Sequence, residues 1–160
     1  MTDFEAVLGE LTSHHVSFIV IGGLAAIVHG SAHYTQDVDI VYQRSTENLD
    51  RLIAALAGSH PYLRGAPPGL PFTWNRATLH HGLNYTLTTS LGLVDVLGEI
   101  PGGGRYEDLA PGAKTVELFG SKCLCMTLDQ LIRSKRAAGR PKDLQVLAEL
   151  EAIRDEQQKP

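Results

Sequence analysis

Two aspartates interrupt a segment that is otherwise built for a protein interior. Asp37-Val38-Asp39-Ile40-Val41-Tyr42 has the β-branched and aromatic make-up of a core strand, yet carries acids at its first and third positions. In a strand, residues i and i+2 point to the same face, so the two carboxylates lie close together. Like charges at that range repel unless one is protonated or a cation sits between them. A third acid, Asp95, is set in the same way into Leu93-Val94-Asp95-Val96-Leu97. Burying three unpaired carboxylates costs several kcal/mol each, and a hard dication that prefers oxygen, above all Mg²⁺, removes that cost. Any one of these acids alone also fits a strand-end residue salt-bridged to a neighbour. The three together favour a site.

Upstream, Val16 to Ile21 is an almost unbroken apolar run, the pattern of a strand buried on both faces. It ends at Gly22-Gly23, from which a short helix, Leu24 to His29, is expected to open and to stop near Gly30. Glycines at such a junction let the backbone approach a ligand, and the helix start offers free N–H groups to a phosphate. A tight strand-to-helix turn is the plainer alternative. G-x-G-x-x-G is absent, and Gly120-Ser121-Lys122 lacks the loop length and the ending of a P-loop.

The rest of the chain alternates in kind. Asp3 to His15 is an amphipathic helix, and Ser45 to Leu56 is a second, with Ser45 and Thr46 as caps. Gly58 to Gly82, rich in Pro and Gly, reads as a long loop with one short strand. In it, Phe72 and Trp74 suit either local packing or stacking on a base. Asn84 to Thr89 and Leu91 to Leu97 are strands, Pro101 to Gly104 is a flexible loop, and Thr115–Phe119 with Lys122–Met126 form a hairpin. Thr127 caps a helix, and Pro141 opens a last one whose buried face carries Leu144, Leu147, Leu150 and Ile153. The order argues α/β or α+β with a mixed sheet. With 160 residues and no linker or repeat, residues 1–160 are expected to form one domain, with a polar tail from about Asp155 to Pro160 that frays.

Charge and special residues narrow the function. A net charge of −4 excludes a globally basic nucleic-acid-coating protein, but five of the 14 Lys and Arg lie between Arg133 and Lys142. Cys123 and Cys125 lack disulfide or zinc spacing and read as small buried strand residues. The adjacent pairs His14-His15 and His80-His81 point apart and chelate poorly. His33 stands apart from them, four residues before the first acid. No apolar run is long enough for a membrane helix and no secretory leader is visible, so the expectation is a cytoplasmic protein without a membrane partner.

Ile21-Gly22-Gly23, a 13-residue spacer and Asp37-Val38-Asp39-Ile40 together resemble the signature of the nucleotidyltransferase superfamily, the polymerase-beta-like fold. Thr35 matches a position commonly Thr in stand-alone members, and Asp95 matches the third acid. Lys135…Arg140-Pro141-Lys142-Asp143 looks like the Lys…Arg-x-Lys-Asp motif of AbiEii-type enzymes, which are often partners in toxin–antitoxin pairs. The resemblance spans about Val16 to Leu150. His33 stands where the family often has Arg, and no separate substrate domain follows the catalytic core.

The resemblance implies a minimal nucleotidyltransferase fold: a mixed twisted sheet flanked by helices, with a C-terminal helical pair. It implies transfer of a nucleoside monophosphate from a nucleoside triphosphate to a hydroxyl, with release of pyrophosphate. Two Mg²⁺ ions, or Mn²⁺ in their place, would sit on Asp37 and Asp39, with Asp95 sharing the ion beside the acceptor and taking its proton. Gly22, Gly23 and Thr35 would cradle the triphosphate. Lys135, Arg140 and Lys142 would neutralise it, while Asp143 orients those cations or favours the start of the last helix. The acceptor implied first is RNA, a tRNA 3′ end. A cognate partner protein is the alternative, and a non-catalytic partner-binding module is the third reading.

Overall fold

A computed structural model describes all 160 residues. The amphipathic N-terminal segment forms α1 (Phe4–Ser13), capped by Asp3, whose carboxylate accepts the Ala6 N–H at 2.9 Å. Its Val7, Leu8 and Leu11 are buried, as the helical spacing requires. β1 (Phe18–Ile21) is buried at every position and lies inside the sheet. The helix α2 (Gly22–Val28) starts on the glycine pair itself, two residues earlier than the sequence pattern suggested.

β2 (Asp37–Tyr42) buries Val38, Ile40 and Tyr42 on one face, which leaves Asp37 and Asp39 on the other. After α3 (Thr46–Ala57), the Pro- and Gly-rich stretch holds more structure than a loop: β3 (Tyr62–Leu63) and α4 (Arg76–His81). The side chain of Asn75 caps α4 by accepting the Thr78 N–H at 2.9 Å, which supports a helix of only six residues. β4 (Asn84–Thr89) and β5 (Gly92–Leu97), the two strands expected here, pair antiparallel as a hairpin.

Pro101 to Gly104 is not a free loop. It is the turn of a two-stranded ribbon, β6 (Glu99–Ile100) with β7 (Gly104–Arg105), followed by α5 (Tyr106–Leu109). Gly102 has φ +68°, and a β-carbon there would come within 2.7 Å of both Ala137 Cβ and the Arg133 carbonyl. Only glycine lets this turn press onto the helix beneath it.

The chain ends with β8 (Lys114–Leu118), β9 (Ser121–Cys125), α6 (Leu128–Ala138) and α7 (Pro141–Gln157). The sheet has seven strands in the order β3-β4-β5-β2-β1-β9-β8, with parallel pairs β5–β2 and β1–β9 and antiparallel pairs elsewhere. Helices flank it: α1 packs on α3, α2 on α6, and α6 on α7. Cys123 and Cys125 are buried on β9, and burial pushes their thiols up to about 11 and about 12, so they serve as small apolar residues.

α6 begins with a reciprocal cap, Thr127 Oγ1 accepting from Gln130 and Gln130 Oε1 accepting from Thr127. α7 differs from its expected pattern in two ways. Its helix continues to Gln157, into the tail expected to fray. Its inner stripe runs Asp143, Leu147, Leu150, while Leu144 is half exposed. An ion-paired acid has taken the inward position that hydrophobicity alone assigned to Leu144. No helix is long and apolar enough to cross a membrane.

Candidate functional site

Sheet register assembles the centre. Asp39 of β2 lies opposite Asp95 of β5, and Asp95 lies opposite Thr86 of β4. The Arg64 N–H, just beyond β3, donates to the Thr86 carbonyl at 3.0 Å and extends the same row. Residues opposite one another in a sheet share a face, so Asp39, Asp95 and Arg64 stand on one side, and Asp37 joins them two residues before Asp39. Oxygens of Asp37, Asp39 and Asp95 all lie within 4.8 Å of one another.

The glycine pair is fixed by these acids rather than by the turn alone. Gly22 has φ +65°, and a β-carbon on it would strike the Asp39 carboxylate. A β-carbon on Gly23 would come within 2.7 Å of Thr35 Oγ1. Thr35 in turn makes long contacts of 3.4 Å from its hydroxyl to the Asp37 N–H and carbonyl, at the first residue of β2. Thus Gly22, Gly23 and Thr35 form one close-packed seam beneath the acids.

The electrostatics are those of an unfinished site. Burial, then the charges of Asp95 and Asp37, raise the Asp39 carboxyl from 3.8 to about 7, against the pull of Lys135. Burial also raises Asp95, but Arg64 opposes this by charge and hydrogen bond. Asp39 Oδ1 is buried without any hydrogen-bond partner. A buried carboxylate oxygen with no donor, among three oxygen ligands, fits a hard dication such as Mg²⁺ or Mn²⁺.

Asp39 also lines a cavity of about 370 Å³. Ile21 and Gly22 border it on the sheet side, Leu97, Ile100 and Pro101 on the ribbon side, and Ser134, Lys135 and Arg140 on the helical side. Its mixed lining and size suit a nucleotide-sized ligand. The cations are anchored by Asp143, which is 1% exposed and borders the cavity beside them. Lys135 Nζ donates to Asp143 Oδ1 at 3.3 Å, and Arg140 Nε donates to Oδ2 at 2.6 Å. Oδ2 also accepts the Arg140 backbone N–H at 3.2 Å, which closes the start of α7. Burial alone would raise the Asp143 carboxyl, but the bonds from Arg140 and Lys135 outweigh it and hold the group low. Asp143 therefore has both roles considered for it.

Not every candidate converges. Lys142 is exposed and does not line the cavity, and Arg136 pairs with Glu151 at 2.7 Å on the outer face. His33 turns away from the acids and bonds to Glu149 of α7 at 2.9 Å. Trp74 Nε1 donates to the Ile53 carbonyl at 3.1 Å, and Phe72 packs edge-on against Tyr62. Both aromatics pack locally, and neither borders the cavity.

One residue of the site had no sequence signal. Arg64 donates to Asp95 Oδ1 at 2.6 Å and to the Leu87 carbonyl at 2.8 Å, and lies 3.8 Å from Asp37 Oδ2. It sits in a Pro- and Gly-rich stretch with no periodicity, and only the β3–β4 register carries it to the acids.

No family model and no curated protein matches this sequence. Solved structures share its fold. ANT(2'')-Ia, crystallised in complex with adenylyl-2''-tobramycin, has a TM-score of 0.54 and 12% identity, over 94% of this chain and 91% of that one. The solution structure of the same antibiotic-resistance factor gives 0.54 and 13%, over 95% and 87%. An antigenic nucleotidyltransferase-like protein from Paracoccidioides brasiliensis gives 0.53 and 18%, over 91% and 72%. At such identities the common property is the fold, and it is that of nucleotidyltransferases.

Proposed function

We propose that this chain, built on the nucleotidyltransferase fold, is a metal-dependent nucleotidyltransferase that moves a nucleoside monophosphate from a nucleoside triphosphate to an acceptor hydroxyl. The observation that carries this reading is the triad Asp37–Asp39–Asp95, of which Asp39 opens onto a cavity that Lys135 and Arg140 also line. Asp37 and Asp39 would hold two divalent ions, and Asp95 the one beside the acceptor. When bound, the ions supply charge neutralisation at the attacking and leaving oxygens of the α-phosphoryl group.

The chain's own residues do the rest. Gly22, where the Asp39 carboxylate excludes a side chain, lines the cavity and would offer its backbone to the triphosphate. Lys135 and Arg140 face the cavity and offset the charge that gathers on the departing pyrophosphate. Asp143 keeps both cations in place. Asp95, freed of Arg64, takes the proton of the acceptor hydroxyl. Leu97, Ile100 and Pro101 give the base an apolar wall without base-reading side chains.

For the acceptor we favour RNA, with a tRNA 3′ end as the specific candidate. Arg133 and Lys142 are exposed on the helical pair without an acidic partner, and suit a phosphate backbone approaching this side. The AbiEii-like toxin reading rests on the same stretch. The test is label transfer with Mg²⁺ and each of four α-labelled nucleoside triphosphates, against total tRNA, cell lysate and tobramycin, beside an Asp37→Asn/Asp39→Asn control. Label on tRNA that disappears in the control supports the full reading. Label on one protein band moves the acceptor to a partner protein. Label on tobramycin moves it to small hydroxyl compounds, as in the adenylyl-tobramycin complex of ANT(2'')-Ia. Nucleotide binding without transfer leaves a binding module, and no nucleotide binding sinks the catalytic reading.

A further inference from the structure

The triad is divided. Asp39 opens onto the cavity, whereas Asp95 is capped by Arg64, which also lies 3.8 Å from the partly exposed Asp37. The guanidinium stands 2.6 Å from Asp95 Oδ1 and so occupies a carboxylate oxygen that a divalent ion held by Asp95 would need. A guanidinium and a dication cannot share that oxygen without strong repulsion.

Arg64 is also incompletely satisfied where it lies. Its Nε is buried with no hydrogen-bond partner, and its side chain is 25% exposed. It follows a strand of only two residues at the sheet edge and precedes Gly65, which has φ +79°. To leave, its side chain gives up the bonds to Asp95 and to the Leu87 carbonyl, and only a two-residue edge strand fixes the backbone before it.

We propose that Arg64 is a resident counter-ion of the acceptor-side half of the triad, and that it sets the order of metal loading. The first divalent ion binds at Asp39 from the open cavity with Arg64 in place. The second binds only when Arg64 is displaced from Asp95 and Asp37. This rests on the metal-dependent reading above, and adds that the donor side is ready at rest while the acceptor side is occupied by the protein's own cation. Arg64 is then a positioning residue that acts through metal affinity.

The test is titration of Mn²⁺ alone into the full chain, followed by the electron paramagnetic resonance of free Mn²⁺ and by calorimetry. Wild type is expected to show one stronger and one weaker site. Arg64→Met is expected to tighten the weaker site by at least about tenfold and leave the stronger one within about threefold, since it removes the competing charge. Mn²⁺ affinities in Arg64→Met that both match wild type overturn the proposal. Because Arg64→Met also removes the charge that stabilises the metal-free acids, wild type supplies a second readout. Saturating Mg²⁺ is expected to shift the Arg64 Nε–Hε resonance and speed its exchange with water, as the buried N–H is released. A resonance unmoved at saturation overturns the proposal by itself. If wild type and Arg64→Met bind no more Mn²⁺ than Asp39→Asn does, the metal-dependent reading has failed and this inference falls with it.

Discussion

Two clusters of acids and cations face each other across one cavity, and they are opposites. Around Asp143, one carboxylate is met by two cations, every oxygen is bonded, and the acid is almost wholly buried. Around Asp39, three carboxylates are met by one guanidinium, an oxygen is left without a donor, and the carboxyl is raised to about 7. The first cluster is finished and carries excess positive charge, so it holds helices together while presenting cations to the cavity. The second is unfinished and carries excess negative charge, so it is completed only by added cations. A metal-bound triphosphate, negative towards one wall and positive towards the other, complements both. Structural and functional ion clusters in this chain differ in whether the protein alone balances them.

The largest expected consequence is at the unfinished cluster. Asp39→Asn should lower nucleotidyl transfer by about a thousandfold or more, because it removes a ligand common to both ions. Transfer within tenfold of wild type in the label assay would break the contrast drawn here.

At the finished cluster the loss should appear as stability instead. Asp143→Ala strands two cations and opens the start of α7, and should cost about 2–3 kcal/mol, discounted because Arg140 is more than half exposed. Denaturant unfolding measures this, and Asp143→Asn, which keeps the backbone acceptor, should lose less.

pH separates the clusters further. The folded carboxyl of Asp39 holds its proton up to about 7 against 3.8 ordinarily, so the folded state binds that proton more tightly than the unfolded one. Without divalent ions, this group's contribution to stability is therefore present at low pH and lost as pH climbs from about 4 to 7. Asp39→Asn should flatten that decline and raise the melting temperature of the metal-free protein at pH 8. A melting temperature for Asp39→Asn below that of wild type under these conditions contradicts the assignment.

The smallest effect is expected at the rim. Lys142→Ala should change nucleoside triphosphate affinity by less than about threefold, whereas Lys135→Ala should weaken it by at least tenfold, as calorimetry can tell. Lys142 is exposed and outside the cavity lining, while Lys135 is half-buried and within it. Equal losses would mean that the phosphates lie further out on the helical pair than the cavity suggests.

Much of this was legible without coordinates. Asp37 and Asp39 are recorded in the i, i+2 spacing of an apolar strand, and Asp95 in its own. The caps at Ser45 and Thr127 are local and were visible for the same reason, whereas the Asp3 cap emerged only in the structure. The acid-to-glycine seam was half visible: the spacing marked Gly22 and Gly23, but only the packing shows that Asp39 and Thr35 exclude side chains there.

Sequence by itself determined the strongly patterned strands and helices, where acids violate an apolar pattern, and that a cation is wanted among them, but not α4, α5 or the β6–β7 ribbon. These depend on neighbours two to four positions away, whose geometry the backbone fixes. The tertiary structure decided who meets whom. Arg64 reaches Asp95 across 31 positions because β3, β4 and β5 align in one register. Asp143, rather than Leu144, turns inward because Lys135 and Arg140 are there to receive it. Pro101 to Gly104 became a wall rather than a loose loop because α6 lies beneath Gly102. Each of these outcomes rests on partners distant in the chain, and pairing energies between distant groups leave no period in the sequence.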